Sequence, residues 1–376
     1  MIVISSMPAA GQPGEEQDSM HFKDSLDHAF DLSNFLIDAH GFLPLPFVIT
    51  EPALGNFGGG LALVFLKRRP PISDTVSSKV RVKQVPPDIT GGGGLYTLNN
   101  SWAAMAFRLG TWARARSKYR VLGGYADLNL SFYRDTDEGE EKEFRFKLRT
   151  TPFFSSFQKN FAASPWSAGI SYLFLNTDAE LQSEDLPEFL DGKEWSSRVS
   201  MPGIVVEMDN RDNIFTPNRG MYWRLSTGWS DNGFGSEYDY VNLNSFFHFY
   251  TPLWPALIAG FRYEMQEVFG DAPFYLLPYL NLRGVPVARY QGNIYSVVEV
   301  ELRWDFVPRW SLVGFGGTGK VYDEWNTFSK SPWTSSGGGG FRYLVARKFK
   351  LRMGLDLAKG PEQWAYYVVL GSAWFR

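Results

Sequence analysis

Much of this 376-residue chain alternates between apolar and polar residues with a period of two, the pattern of a β-strand whose two faces meet different surroundings. Residues 294–306 show this pattern without a break. Val300 and its neighbours two positions away form an apolar face, whereas Glu299, Glu301 and Arg303 lie on a charged face. The preceding residues, 282–292, have no period and carry two arginines. This pattern predicts a cationic loop that leads into a two-faced strand.

The same alternation recurs along the chain and predicts about sixteen antiparallel strands. Many of them are close to the roughly ten residues that cross an outer membrane at a tilt. The glycine runs at Gly91 and Gly337 are interpreted as turns or kinks. The predicted strands are residues 47–50, 57–66, 95–98, 101–112, 119–133, 143–150, 166–179, 199–211, 221–229, 239–250, 257–268, 294–306, 311–322, 337–346, 349–359 and 364–375.

Two architectures accommodate so many two-faced strands: a transmembrane barrel and a large soluble sandwich or propeller. The apolar faces are rich in Phe, Trp, Leu and Val, and the polar faces mix both signs of charge. In lipid every backbone N–H and C=O must be paired, so an open sheet edge is excluded and the sheet closes. We therefore favour the barrel. Tryptophans near predicted strand ends suit its interfacial girdles: Trp102, Trp112, Trp223, Trp229, Trp254, Trp304, Trp364 and Trp374.

We divide the chain into a leader with a short helix, residues 1–43, and a barrel, residues 44–376. Residues 24–39 carry a rough apolar stripe at helical spacing, and Asp31 could cap a shorter helix. Prolines after this segment prevent the helix from continuing. The first residues end in small side chains, which fits either the stump of a secretory signal or a disordered leader.

Composition gives no reason to expect nucleic acid, metal or cofactor. The formal net charge is −3, and the absence of cysteine is compatible with an extracytoplasmic location. The four histidines lack metal-ligand spacing, and no nucleophile elbow is present. Residues 314–321, GFGGTGKV, fit part of a phosphate-binding loop, but Val321 stands where a hydroxyl is required. We therefore predict no enzymatic activity and interpret these glycines as room for the loop at residues 282–292.

One strand face is basic. Arg145, Lys147 and Arg149 alternate with apolar residues, and we interpret them as part of an internal ion-pair ladder on the lumen wall. A preference of the lumen for anions is the alternative.

Several segments resemble the barrel of the outer-membrane assembly-factor superfamily, the BamA/TamA type also called bacterial surface antigen. Residues 282–292, LRGVPVARYQG, resemble the V-R-G-F/Y lid loop of that family. Residues 209–220, DNRDNIFTPNRG, resemble its turn between two strands. The segment at residues 339–358, with a last strand ending in Phe375, is also similar. Residues 30–55 are like those of short single-barrel members, so the resemblance covers nearly the whole chain past residue 30.

The resemblance implies a 16-stranded barrel whose lid loop folds into the lumen. Arg283 would then pair with acids on the inner wall, with Asp356 as the best candidate, because a guanidinium in a confined polar space gains from carboxylate partners. A solvated loop arginine is the alternative. The implied lid-loop and lock residues are Arg283, Gly284, Arg289, Glu299, Glu301 and Asp356, and Phe375 is the C-terminal strand signal.

The chain departs from the family pattern in two respects. The family's F-x-D-x-G strand reads FGGTG at residues 315–319, so one acid that would meet the lid arginine is missing. We expect a weaker or rewired lock. About forty residues precede the first predicted strand, which leaves no room for the POTRA domains that receive client proteins. This places the insertion of client proteins in doubt.

We therefore predict an integral barrel of the bacterial outer membrane that inserts or translocates protein or lipid, with the first and last strands forming a seam. The short opening strand at residues 47–50 suggests that the seam is weak. The expected partners are outer-membrane lipids and a client or partner outer-membrane protein or lipoprotein. The alternatives are a passive or plugged pore, with residues 31–39 as the plug, and a structural barrel that binds a partner.

Overall fold

The computed structural model describes residues 22–24, 26–34, 41–55, 57–67, 72–76, 79–83, 88–112, 115–135, 141–161, 164–183 and 195–374. These residues form strands joined by turns and short 3₁₀ helices. The strands are β1 (Gly41–Ile49), β2 (Gly58–Lys67), β3 (Ile72–Val76), β4 (Lys79–Lys83), β5 (Asp88–Thr97), β6 (Trp102–Trp112), β7 (Ser117–Asp135), β8 (Glu141–Asn160), β9 (Trp166–Leu181), β10 (Ser196–Asp209), β11 (Gly220–Ser230), β12 (Tyr240–Trp254), β13 (Leu257–Gly270), β14 (Ile294–Val307), β15 (Trp310–Tyr322), β16 (Thr334–Ala346), β17 (Leu351–Lys359) and β18 (Trp364–Leu370).

One antiparallel sheet contains 16 of these strands. Each of the 16 pairs with the next member of this sheet along the chain, so that β2 pairs with β5. The remaining two, β3 and β4, form a separate hairpin between β2 and β5. The sheet curls round so that β1 lies beside β18, with Cα atoms within 8 Å. The prediction of a 16-stranded antiparallel barrel is therefore confirmed. None of the described helices is long and apolar enough to cross a membrane.

The first and last barrel strands differ from their predicted bounds. β1 has nine residues, Gly41–Ile49, so the expectation of a short opening strand is wrong. Pro44 and Pro46 lie inside it, which a strand tolerates when one of its edges is unpaired. β18 ends at Leu370, short of the predicted end at Phe375, which is outside the described residues. The chain turns at Gly371, where φ is +80°.

The glycine runs lie within strands, contrary to our interpretation. Gly91 is inside β5 and Gly337 is inside β16, and both pair with neighbouring strands. A side chain at Gly91 would meet the Phe107 ring at 2.8 Å. Glycine is used here because a neighbouring side chain or backbone approaches closely, which is one of the roles of glycine inside a strand.

The predicted N-terminal helix does not begin at Asp24. Lys23 and Phe30 form an antiparallel bridge, and Asp24 and Asp27 each accept a hydrogen bond from the backbone N–H two residues later. These aspartate contacts stabilise turns in place of a helix. Within the described part of the predicted helix, only Ser33 and Asn34 are α-helical, and residues 35–40 lie outside the described residues.

The two faces of each strand have opposite surroundings. In β14, Glu299 faces the barrel interior and is 1% exposed, whereas Val300 faces outward and is 43% exposed. Val300, Leu302 and Trp304 together give this strand an exposed apolar outer face. A soluble sandwich would bury those residues, so the exterior is built for lipid.

This polarity reverses along β8. The outward residues change from Arg145, Lys147 and Arg149 to Phe153 and Phe157 as the strand descends. The inward residues change in the opposite sense, from apolar to polar: Phe144, Phe146, Leu148, then Ser156 and Gln158. Arg145, Lys147 and Arg149 therefore face outward, and the prediction that they belong to the lumen wall is wrong. The reversal near residue 150 indicates where the outer surface passes from water into lipid.

The barrel has two different ends. Residues 22–34 and the C-terminal residues described lie at the end that also carries the tight turns at residues 255–256 and 308–309. We name this the terminal end. The opposite end, the loop end, carries the long connection at residues 271–293. Short turns are typical of the periplasmic side of outer-membrane barrels and longer loops of the outer side.

Candidate functional site

The connection between β13 and β14, residues 271–293, enters the barrel lumen. Its Leu280, Leu282 and Val285 are buried against Tyr295 and Val297 on the inner face of β14. Nearer the loop end, Phe274 of the same connection packs against the inward rings of β7 and β8, Phe132 and Phe146, with centroids at 4.9 and 4.7 Å. We refer to residues 271–293 as the lumen loop.

Glycines of β15 provide room for the lumen loop. A Cβ at Gly317 would lie 2.7 Å from Leu282 Cδ1, and one at Gly319 would lie 2.5 Å from Leu280 Cδ1. Gly317 occupies the position where the family pattern has aspartate. Leu282 Cδ1 and the backbone oxygen of Val298, at 2.8 Å, already fill the space at that position, so an acid there would have to displace the Leu282 side chain.

Arg283 lies at the centre of the lumen contacts. Its Nε is 2.6 Å from Glu299 Oε1, and its Nη1 is 2.9 Å from both Glu301 Oε2 and Asp356 Oδ2. The guanidinium also lies over the Phe315 ring, 3.5 Å from the centroid. The structure thus brings together four of the residues singled out in the sequence, and the acids come from β14 and β17.

Further charged residues surround these acids. Arg342 binds Asp356 through two nitrogens, at 2.6 and 2.9 Å. Arg262 Nη1 is 2.8 Å from Glu299 Oε2. Arg262 also pairs with the fully buried Glu264, its Nε lying 3.1 Å from Glu264 Oε1, so three guanidinium groups contact four carboxylates in this cluster. Close pairing with bidentate geometry is what a buried ionic cluster requires in order not to be strongly destabilising.

The lumen loop also touches both strands that flank the seam. The backbone N–H of Gly284 donates to the Tyr367 hydroxyl of β18 at 2.9 Å. The backbone N–H of Val287 donates at 3.0 Å to Glu51, two residues after β1 ends. Gly284 has φ of +92° and its Cβ position would be 2.9 Å from the backbone nitrogen of Gly360, which explains why glycine follows Arg283.

Arg289 is part of the lumen loop but not of the Arg283 cluster. Its guanidinium lies 4.3 Å from the centroid of Tyr133 and 3.4 Å from Glu362. It therefore contacts the wall near the loop end.

The prediction that Trp374 lies in an interfacial girdle is wrong. The residue is 3% exposed, and its indole N–H donates to Glu299 at 2.8 Å. The turn at Gly371 carries it into the lumen, where its ring lies tilted against those of His248 and Tyr250, with centroids 5.8 and 5.9 Å away. Arg262 and Arg342 were also missed as partners. Their charged positions on inner faces were the available signal, whereas nothing local distinguished Trp374 from the girdle tryptophans.

A second ionic cluster lies at the terminal end. Arg309, in the tight turn between β14 and β15, hydrogen-bonds to Asp24, Asp27 and Asp31 at 2.5–2.7 Å. Arg347, in the turn between β16 and β17, also binds Asp24. Residues 22–34 are thereby held one strand away from β18, whereas the chain then starts β1 on the other side of the seam.

We expect Arg309→Ala to release residues 22–34 from the turns. A hydrogen bond from Arg347 is the main effect that holds the pKa of Asp24 well below its usual range, and one from Arg309 lowers the pKa of Asp27. Because these pKa values are lowered, the attachment persists above the ordinary aspartate pKa of about 3.9 and weakens as the pH falls below it.

Hydrogen exchange of residues 26–34 measures the release of this segment. The control is Arg198→Ala, which removes an exposed ion pair with Glu237. Equal exchange in both variants would refute the attachment.

The described residues contain no group of three or more His, Cys, Asp or Glu side chains arranged to hold a metal ion.

The fold and the lumen cluster define a class of protein: a lipid-facing antiparallel barrel with a loop bound inside by arginine–carboxylate pairs.

Comparison with family models and with curated proteins yields no match. Solved structures do match. The crystal structure of BamA from Haemophilus ducreyi lacking POTRA domains 1-3 has a TM-score of 0.58 at 11% identity, covering 87% of this chain and 69% of that chain. CdiB from Escherichia coli has a TM-score of 0.56 at 10% identity, covering 86% and 61%. CdiB from Acinetobacter baumannii has a TM-score of 0.51 at 8% identity, covering 88% and 59%.

At these identities the likeness establishes the fold. The chain has a barrel of the BamA and CdiB type and spans about three fifths of the length of the two CdiB chains. This likeness and the apolar exterior of the strands support an integral outer-membrane location.

Proposed function

We propose that this barrel inserts or translocates protein or lipid at the outer membrane through the seam between β1 and β18. The observation that carries the proposal is the unpaired seam. Among the described residues, β1 pairs only with β2 and β18 only with β17, although the two strands lie side by side. An unpaired strand edge in lipid is costly, and it is also a template for another strand or a path for a lipid.

Prolines keep this edge from pairing. Pro44 and Pro46 are two residues apart, so their ring nitrogens point to the same edge of β1. Pairing of β1 with β2 is uninterrupted, which assigns that edge to the seam. Neither proline can donate a hydrogen bond to β18. The seam is therefore held by contacts other than a backbone ladder.

In this proposal the lumen loop is a lid that spans the seam from inside. Gly284 is hydrogen-bonded to β18 through Tyr367, and Val287 is bonded to the residue after β1, Glu51. Arg283 anchors the loop to acids of β14 and β17. Opening of the seam then requires the Glu51 or the Tyr367 contact to break. The proposal assigns no catalytic reaction to these residues.

A disulfide across the seam tests the proposal. Val48 on β1 and Tyr366 and Val368 on β18 face lipid, and the chain has no cysteine that would interfere. We expect Val48→Cys with Tyr366→Cys or Val368→Cys to cross-link and to reduce at least fivefold both insertion of an unfolded outer-membrane barrel into vesicles and transfer of a fluorescent phospholipid between leaflets. Reductant should restore both activities.

The control pair is Phe65→Cys with Thr90→Cys, which are directly opposite on the already paired strands β2 and β5. This cross-link should leave both rates unchanged. Full activity of the oxidised seam variant would show that the seam does not open.

A passive pore is the second candidate. A cavity of about 260 Å³ lies beside the lumen loop, lined by Glu51, Arg262, Glu264 and Trp374 among others. Planar-bilayer conductance separates the two functions. A large, untriggered conductance that the seam cross-link does not change would favour the pore.

A further inference from the structure

The lumen wall next to the seam is apolar, unlike the ionic wall around Arg283. Backbone pairing through β1, β2, β5 and β6 assigns the inner faces of these strands. The inner side is identified by Lys118 of β7, which forms an ion pair with Glu207 of β10 across the lumen. The same face carries apolar side chains on β1, β2 and β6: Leu45, Phe47, Val64, Met105, Phe107 and Leu109.

This wall borders open space. Leu45, Phe47 and Met105 are 41%, 40% and 40% exposed although they face inward. On the opposite side, residues of the ionic wall such as Glu299 are almost completely buried. About 25 cal/mol is lost for each Å² of apolar surface left in water, so an uncovered inner wall favours an apolar occupant.

The wall is continuous with the bilayer. It ends at β1, whose outer face exposes Pro44, Pro46 and Val48 to lipid, and β1 has no backbone pairing to β18 among the described residues. A hydrocarbon chain can therefore pass from the membrane to the inner wall along apolar surface.

Cationic side chains stand at the terminal end of this wall. Arg120 is directly opposite Leu109 on the neighbouring strand. Arg120, Arg211 and Arg224 all lie within electrostatic range of the Tyr222 hydroxyl. Lys118 pairs with Glu207 and Arg211 pairs with Asp209. In the part of the chain that the structure describes, no carboxylate lies within 4.0 Å of a guanidinium nitrogen of Arg120 or Arg224.

Four cations and two acids leave this cluster with an excess of two positive charges. Arg224 Nε is buried and has no hydrogen-bond partner among the described residues. Guanidinium groups without a carboxylate partner are suited to bind phosphate oxygens. The guanidinium groups and the apolar wall adjoin, so a single molecule with an anionic group and an apolar chain contacts both surfaces at once.

We propose that this half of the lumen binds one anionic phospholipid, with its phosphate at Arg120 and Arg224 and an acyl chain along the wall formed by Leu45, Met105 and Phe107. The inference names a substrate class for the seam and in that respect rests on the proposed function. Its test uses the isolated barrel, so the lipid site and the opening of the seam can fail separately.

Native mass spectrometry of the purified barrel with phosphatidylglycerol measures the binding. We expect one lipid per barrel and at least fivefold weaker binding of phosphatidylcholine. Arg120→Gln with Arg224→Gln should raise the dissociation constant for phosphatidylglycerol at least tenfold. The matched control, Arg145→Gln with Lys147→Gln, removes two cations from the outer face and should change it less than twofold. Mobility on unheated gels verifies that each variant is folded.

A photo-crosslinking residue locates the acyl chain. Placed at Met105, it should capture the lipid that survives detergent washing, whereas at Asn244 on the inner face of β12 it should not. No retained lipid, equal binding of the two lipids, equal loss in both charge variants, or capture that disappears on washing would each overturn the proposal.

Discussion

Arg283→Ala should destabilise the barrel by about 3–5 kcal/mol and release the lumen loop, since removal of one partner leaves buried charge uncompensated. Glu299 and Asp356 are each about 1% exposed and would retain only Arg262 and Arg342 as cationic partners. The expected measurements are a lower temperature for loss of the compact form on SDS gels and new protease cleavage within residues 271–293 from the loop end.

The side chain's shape matters as well as its charge. Arg283→Lys keeps the charge, but one ammonium cannot reproduce contacts of 2.6–2.9 Å to three carboxylates from two nitrogens. We expect a loss intermediate between wild type and Arg283→Ala. Adding Glu301→Gln to Arg283→Ala should recover part of the stability, because it returns the net formal charge of the cluster to its wild-type value.

Arg289→Ala is the matched control in the same loop. Arg289 lies over Tyr133 and near Glu362, outside the Arg283 cluster, so its loss should cost about 1 kcal/mol or less. If Arg283→Ala and Arg289→Ala lower the transition temperature equally, Arg283 does not anchor the loop.

Val300→Arg should impair assembly of the barrel and cost about 2–4 kcal/mol, because Val300 faces lipid in the middle of β14. Its side chain is 43% exposed on the outer face. An arginine there places a charge in hydrocarbon. The fraction of protein that reaches the compact, heat-modifiable form after refolding into vesicles measures the effect.

The reversal of polarity along β7 and β8 provides the controls. Ser131 of β7 also faces outward. It pairs with Arg145 of β8, on the loop-end side of the polarity reversal near residue 150, and its hydroxyl donates to Glu143. Ser131→Arg should change stability by less than about 0.5 kcal/mol. Phe146→Arg should be strongly destabilising, because Phe146 is fully buried against Phe274 of the lumen loop. An equally disruptive Ser131→Arg would place that part of β7 in lipid.

The sequence predicted the inner and outer faces of β14 residue by residue, since parity within one strand is a local property. The same reasoning failed for Arg145, Lys147 and Arg149. Alternation identifies two faces but not which one meets lipid, water or the lumen. In β8 both answers occur in one strand, because part of it projects beyond the membrane and packs its apolar face on the lumen loop.

Residues brought together from distant parts of the chain were harder to anticipate. Asp31 was interpreted as a helix cap, yet it binds Arg309, 278 positions away. Trp374 was interpreted as a girdle residue because its inward turn depends on Gly371 and on the space beside Glu299. Phe375 lies outside the described residues, so the C-terminal strand signal remains a prediction.

The amino-acid sequence alone determined that the chain forms many two-faced strands, because side chains alternate with a period of two and a sheet in lipid must close. Only the tertiary structure decided which acids surround Arg283 and that β1 and β18 meet without pairing. It also decided that the Leu282 side chain fills the space where a side chain at position 317 would lie. These features depend on where each strand lies around the closed sheet, and a strand's own pattern does not encode its distance from the others.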